Sequence, residues 1–150
     1  MNTKSLHIII TVGYILVAGL IITIALSSCK SKTFQPSEGN STYISFGNGG
    51  GFTGSVKTYY LTGKGEVFAE ENDKLLKIRS INKNLTEQCF SNIRSLGLDT
   101  QKLNKPGNRY YFIMYSDKGT SNKVVWSGED NRNENQFLMY DMLNTLIKDK

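Results

Sequence analysis

Histidine is almost absent from this chain. The single copy, His7, lies among the first 29 residues, so residues 30–150 contain none. Histidine is the usual general base near neutral pH and the commonest transition-metal ligand. Residues 30–150 therefore cannot assemble a Ser-His-Asp triad, a Cys-His dyad or a histidine-built zinc site. The composition predicts a protein with no enzymatic activity, no cofactor and no bound metal.

Cysteine and runs of basic residues are also scarce. Only Cys29 and Cys89 occur, and Cys89 falls in a helical pattern, where a free cysteine behaves as a small hydrophobic residue. The chain has 18 Lys and Arg against 13 Asp and Glu, a net charge of +5, but no three consecutive basic residues. Because scattered charges do not form a basic stripe, a nucleic-acid partner is not predicted.

The N-terminal segment has the layout of a secretory signal. Lys4 precedes an apolar stretch over residues 8–26, which ends in Leu26-Ser27-Ser28-Cys29. A charged start followed by an apolar stretch is typical of signal peptides. The last four residues resemble the lipobox of bacterial lipoproteins, in which small residues precede a cysteine that receives lipid. The resemblance implies that residues 1–28 are a signal peptide and that Cys29 is lipidated.

The same resemblance predicts a location. Lipid on Cys29 implies anchoring in the cell envelope of a Gram-negative bacterium, and Lys30 resembles the residue that follows cysteine in lipoproteins of the outer membrane, facing the periplasm. The alternative is an uncleaved transmembrane anchor, because 19 residues lie within the roughly 17–25 that span a membrane. Lys30 and Lys32 oppose that alternative, since positive charge favours the cytoplasmic side. Beyond Cys29 the chain resembles no functional family.

A single domain behind a tether is predicted for the rest of the chain. Residues 29–41 are polar apart from Phe34, a composition typical of a flexible tether. Residues 42–150 suffice for one compact core. Alternating apolar residues and turn signals predict six strands. Their ranges are 42–46, 55–61, 66–69, 75–81, 109–116 and 122–127.

Helical periodicity occurs twice. Asn84 is placed to cap a helix that buries Cys89 and Ile93 and ends at Gly97. Residues 135–148 predict a second helix, capped by Asp130 or Asn133. Its predicted apolar face consists of Leu138, Met139, Met142, Leu143, Leu146 and Ile147. The order ββββ-α-ββ-α predicts an α+β fold, a two-layer antiparallel sheet with the helices packed on one face.

A glycine-rich string lies between the first two predicted strands. Residues 49–56, GGGFTGSV, match the G-x-G-x-x-G-x-V pattern that covers nucleotide phosphates in protein kinases. The chain contains no D-F-G or H-R-D, and a strand rather than a helix is predicted next, so nucleotide binding is not expected. We interpret the string as part of a wide, mobile hairpin loop. The candidate partner-binding residues are Gly49, Gly50, Gly51, Phe52 and Gly54.

Aromatic residues are concentrated on the second hairpin. Because strand side chains alternate, one set must face the helices and the other must face outward. The candidate outward face consists of Tyr111, Tyr115 and Trp126, which could bind a carbohydrate or a peptide. The alternative is that outward tyrosines merely cover an open sheet face.

These features favour a non-catalytic module that binds or inhibits another protein of the cell envelope. The alternative is a lipoprotein that binds a small ligand or a glycan through its outward aromatic residues. A protruding, ordered loop would favour the protein-binding module, whereas a deep aromatic pocket would favour the ligand-binding protein.

Overall fold

The computed structural model describes residues 34–36, 40–128 and 134–148. The elements are β1 Tyr43–Gly50, β2 Val56–Thr62, β3 Glu66–Glu71, β4 Lys74–Ser80, α1 Lys83–Ser95, β5 Arg109–Asp117, β6 Thr120–Ser127 and α2 Asn135–Thr145. The predicted α+β class is confirmed. Residues 1–28, Cys29 and the predicted helix caps Asp130 and Asn133 lie outside the described residues. No helix among the described residues has the length and apolarity that a membrane crossing requires.

All six strands belong to one antiparallel sheet in the order β4-β3-β2-β1-β5-β6. β1 lies inside the sheet, where it pairs with β2 on one side and with β5 on the other. It therefore joins the hairpins of the first half of the chain to the hairpin of the second half. The strands were predicted from their local patterns, but this pairing of β1 with β5 was not.

The main core lies between one face of the sheet and the two helices. Ile44 and Phe46 of β1 are fully buried on this side. The helices contribute an apolar set that packs with them: Cys89, Phe90 and Ile93 from α1, and Phe137, Met139, Tyr140 and Leu143 from α2. Removing such side chains from water is the main favourable term in folding. Both helices therefore lie on the same face of the sheet, because each buries apolar side chains in the same cluster as those of β1.

The predicted apolar face of α2 is confirmed at Met139, Leu143 and Leu146, which are buried, but not at Leu138. Phe137 and Tyr140 are buried, whereas Leu138, which was placed on the buried face, is 56% exposed. The rings of Phe137 and Tyr140 lie 5.5 and 5.7 Å from the ring of Trp126. Contacts with that indole place the aromatic side of α2 against the sheet, so the prediction for Leu138 is wrong.

The cap of α1 lies two residues before the predicted position. Asn82, not Asn84, precedes the helix, and its Oδ1 accepts a 2.9 Å hydrogen bond from the Leu85 amide. The predicted end at Gly97 is confirmed. Gly97 has φ of 72°, and the Leu98 amide donates to the Ile93 carbonyl at 2.9 Å, which satisfies the last helical carbonyls.

The outer edge of β6 is covered by the connection between α1 and β5. The Lys105 amide donates to the Val125 carbonyl, and the Val125 amide donates to the Leu103 carbonyl, both at 2.9 Å. The Asn122 side chain fixes this connection by donating to the Leu98 carbonyl at 2.9 Å. Covering an edge in this way protects it from pairing with another chain.

The packed part of the chain starts earlier than predicted. Phe34 was assigned to the tether, yet its ring lies 5.4–5.8 Å from the rings of Tyr43, Tyr60 and Phe68. These three residues form a small cluster on the face of the sheet opposite the helices, which we call the outer face. The segment at Phe34 therefore belongs to the domain, because it covers apolar surface that would otherwise meet water.

Candidate binding site

Two of the glycines predicted to form a loop belong to a strand. Gly49 and Gly50 are the last residues of β1, where they pair with Tyr110 and Arg109 of β5. The loop itself covers only residues 51–55. The loop is therefore shorter than predicted, because β5 pairs with Gly49 and Gly50 and extends β1.

Steric crowding explains why these strand positions are glycine. A side chain at Gly49 would place its Cβ 2.6 Å from the Tyr110 hydroxyl oxygen. At Gly50 a Cβ would collide with the Asn108 carbonyl, and φ is 88°, a conformation that side chains disfavour. Gly49 is buried, so it supports the loop and does not reach a partner.

The loop tip presents Phe52 entirely to solvent. At the base, the Gly51 amide donates to the Asn108 carbonyl at 2.7 Å. Across the turn, the Gly54 amide donates to the Gly51 carbonyl at 3.2 Å. Gly51 and Gly54 both have positive φ, 76° and 62°. The aromatic tip predicted at Phe52 is therefore exposed, but it projects from a short, hydrogen-bonded turn and not from a wide loop.

The predicted outward aromatic face is wrong. Trp126 is fully buried, and Tyr111 stacks on it with ring centroids 6.0 Å apart. Tyr115 packs against Phe90 of α1, with centroids 6.2 Å apart. All three residues therefore face the helices. They build the core and do not form a platform for carbohydrate or peptide.

The alternate residues of β5 face outward, and they are also packed. Phe112 is 5% exposed, and the Lys123 Nζ lies 4.5 Å from the centre of its ring. Gly47 and Gly49 lie beneath Phe112 and Tyr110, since a Cβ on either glycine would come within 3.0 Å of those side chains. The glycines of β1 thus leave room for the aromatic rings of β5.

Two adjoining depressions lie at the glycine end of the sheet, where it extends beyond α2. The first encloses about 300 Å³ and is lined by polar groups from β1 and α2, including Asn48, Tyr140, Asp141 and Asn144. The second encloses about 230 Å³ and is lined by Ser55, Lys57, Arg109 and the Gly49–Gly50 backbone, among others. Asn48 and Tyr111 line both. Neither depression was predicted, because its residues come from elements distant in sequence.

Asn48 links β1 to α2 at the junction of the two depressions. Its Nδ2 donates a 3.2 Å hydrogen bond to the hydroxyl of Tyr140. Burial raises the pKa of Tyr140, while hydrogen bonds with Asn48 and Asn144 lower it by less. The Tyr140 hydroxyl is therefore protonated at neutral pH, when it can both donate and accept a hydrogen bond.

Other chemically reactive groups are few in the described part of the chain. Burial raises the pKa of Cys89 to about 11, so this side chain is a thiol and not a nucleophilic thiolate near pH 7. Within residues 34–36, 40–128 and 134–148, no three side chains of the metal-binding types come together as a possible metal site. What the lining of the two depressions can offer a ligand is hydrogen bonds, charged groups and aromatic surface.

No protein-family model matches this chain, and no curated protein matches it in sequence.

Proposed function

We propose that this protein is a lipid-anchored, non-catalytic module of the bacterial cell envelope that docks onto another envelope protein through Phe52. The observation that carries the proposal is the full exposure of Phe52 on a loop with a hydrogen-bonded base. An aromatic side chain supplies a large contact area and loses little conformational freedom on binding, which is why such residues often anchor protein interfaces.

The form of the loop supports this proposal. Its base is held by β1 and β5, whose register continues to the pair Gly50 and Arg109. A loop that is already ordered loses less entropy when it binds than a disordered one. A Cβ added at Gly54 would meet no heavy atom within 4 Å apart from its chain neighbours, so a partner can approach this side of the tip.

Site-specific photo-crosslinking tests the docking surface. A photoreactive phenylalanine analogue at position 52 is compared with one at Leu138, which is also apolar and exposed but lies on α2. We expect one dominant protein adduct from position 52 that is absent from position 138. Retention of the same protein should be lost when Phe52→Ala replaces the native chain in affinity capture. Identical adducts from both positions would contradict a docking site at the loop.

The proposed anchor rests on the residues Leu26-Ser27-Ser28-Cys29. Labelled fatty acid should enter the native chain and be absent from Cys29→Ala, and the mature N-terminus should be Cys29. An intact N-terminus in an unlabelled native chain would instead support the transmembrane-anchor alternative. Because Phe34 packs against the domain, the proposed tether between lipid and domain shortens from residues 29–41 to residues 29–33.

A second candidate function is the binding of a small ligand or glycan. The observation that favours it is the pair of adjoining polar depressions that share Asn48 and Tyr111. Of the outward aromatic set first assigned to this candidate, Tyr111 lines both depressions, whereas Tyr115 and Trp126 line neither.

A further inference from the structure

We propose that the two adjoining depressions form one binding site for an anionic saccharide, a sugar unit that carries a phosphate or carboxylate group. The proposal rests on the described residues of β1, β2, β5 and α2. It requires neither the lipid on Cys29 nor a partner protein at Phe52, so it stands or falls separately from them.

The fold creates the site by leaving one end of the sheet uncovered. Lys57, Asn48 and Tyr111 lie side by side on three neighbouring strands and on the helix-facing side. α2 covers Tyr111, whose ring lies 5.1 Å from that of Tyr140. Lys57, at the other end of this row, is exposed. The sheet beyond α2 is therefore a ledge, and α2 forms the wall above it.

The ledge carries two cations. Lys57 and Arg109 are both exposed, and neither forms an ion pair with another described residue. The Arg109 side chain runs beside Gly51, since its Nε lies 3.8 Å from the position of a Cβ at that glycine. Lysine and arginine donate charge-assisted hydrogen bonds to phosphate and carboxylate oxygens. This half of the site is suited to the charged substituent of the ligand.

The wall carries neutral hydrogen-bonding groups. The side-chain amides of Asn48 and Asn144 and the hydroxyl of Tyr140 can each donate and accept hydrogen bonds. Sugar hydroxyls have the same dual capacity. Tyr111 and Phe137 add aromatic surface to the same depression, which can cover the apolar C–H groups of a sugar ring. This half of the site is suited to the sugar itself.

Charge sets the orientation of the ligand. Asp141 lines the wall depression, whereas Lys57 and Arg109 line the ledge depression. An anionic substituent would be repelled by Asp141 and attracted by the two cations. The wall depression, at about 300 Å³, reaches the lower end of the size range of ligand pockets, about 300 Å³, and the ledge depression adds about 230 Å³ beside it.

Calorimetric titration of the full-length chain tests this site. The protein is kept in a polyoxyethylene detergent, which contains no sugar, at low ionic strength. Glucose 6-phosphate and glucuronate are compared with glucose and with inorganic phosphate. We expect at least one anionic sugar to bind roughly tenfold or more tightly than glucose or inorganic phosphate, because only it uses both halves of the site. Whether the phosphate or the carboxylate sugar binds better identifies the substituent.

Other results of this titration would overturn the proposal. Equal binding of inorganic phosphate and the tighter-binding anionic sugar would show a simple anion site. Equal binding of glucose and glucose 6-phosphate would show that the cations play no part. Binding of none of the four compounds would exclude the site for a single anionic sugar unit.

Matched variants locate the binding. Arg109→Gln and Lys57→Gln each remove one cation of the ledge, and Lys64→Gln removes an exposed lysine from the turn at the opposite end of β2. We expect each ledge variant to weaken binding of the tighter-binding anionic sugar by roughly tenfold and to reduce its salt dependence, and we expect Lys64→Gln to leave both unchanged. Phe52→Ala should bind the sugar normally, which separates this site from the docking loop. Native affinity in both ledge variants would contradict the assignment.

Discussion

The two faces of the sheet are both rich in aromatic residues, but they are covered in different ways. On the helix-facing side, Trp126 and Tyr111 are covered by an entire helix, α2, through Phe137 and Tyr140. On the outer face, the cluster of Tyr43, Tyr60 and Phe68 is covered in part by a single residue from the N-terminal segment, Phe34.

This difference shows that aromatic residues on the helix-free face of a sheet need not form a binding platform. Phe34 turns part of that face into a small second core, and Phe112, on the same face, is also buried. The accessible polar groups lie instead at the glycine end of the sheet, beyond α2. The candidate sites are therefore found where the covering elements stop.

The largest expected effect is on the helix-facing side. Trp126→Ala removes a fully buried indole that contacts three other rings, and we expect it to lower the free energy of unfolding by about 3–5 kcal/mol. Trp126→Phe is the control. The indole Nε1 has no hydrogen-bond partner among the described residues, so the smaller ring loses only packing. Denaturant unfolding should show a clearly smaller loss for Trp126→Phe, and equal losses would contradict this account.

A smaller effect is expected on the outer face. Phe34 is partly exposed and touches one cluster of three rings. Phe34→Ala should therefore lower the free energy of unfolding by about 1–2 kcal/mol, less than a fully buried aromatic residue would. Gln35→Ala, at the exposed neighbouring residue, should change it by under about 0.5 kcal/mol. If both variants unfold like the native protein, Phe34 does not belong to the domain.

The two faces also differ in how their titrating groups make the free energy of unfolding depend on alkaline pH. Burial raises the pKa of Cys89 on the helix-facing side from 9.0 to about 11. The unfolded chain then loses this proton at lower pH than the folded chain, so stability is full below pH 9 and falls as pH rises toward 11. We expect the free energy of unfolding to fall by about 1.4 kcal/mol by pH 10 through this proton alone. Cys89→Ala should lack it, whatever its stability at pH 8.

The outer face contributes to the same titration only at higher pH. Burial, and next a hydrogen bond to Glu70, raise the pKa of Tyr60, so its contribution is lost only above the ordinary tyrosine value of 10.0. Comparing native and Cys89→Ala chains between pH 8 and 10 therefore isolates the cysteine. Parallel stability curves over that range would contradict the raised pKa of Cys89.

The sequence predicted the elements well because their signals are local. The period of 3.6 placed Cys89 and Ile93 on one side of α1, and Gly97 ended that helix as expected. Which side chains of β5 face the helices could not be predicted from such local signals. Tyr111 and Tyr115 alternate with Phe112 and Met114, so both sides of the strand are apolar and the alternation does not show which side meets the helices.

The glycine segment was misjudged for a similar reason. Three consecutive glycines usually indicate a loop, yet Gly49 and Gly50 extend β1 because β5 pairs with them. That pairing depends on residues about sixty positions away in the chain. The two depressions were missed because Asn48, Arg109 and Asn144 have no common motif and meet only when β1, β5 and α2 come together.

The smallest expected effect on stability belongs to Phe52, which lies on neither covered face. It is fully exposed, so Phe52→Ala should change the free energy of unfolding by less than about 0.5 kcal/mol. The same substitution at Phe34 removes buried contacts and should be destabilising. If Phe52→Ala unfolds like the native chain but no longer retains the crosslinked partner, its role is binding alone. A loss of stability as large as that of Phe34→Ala would show instead that the Phe52 ring packs against the domain, and would remove the main support for docking at this loop.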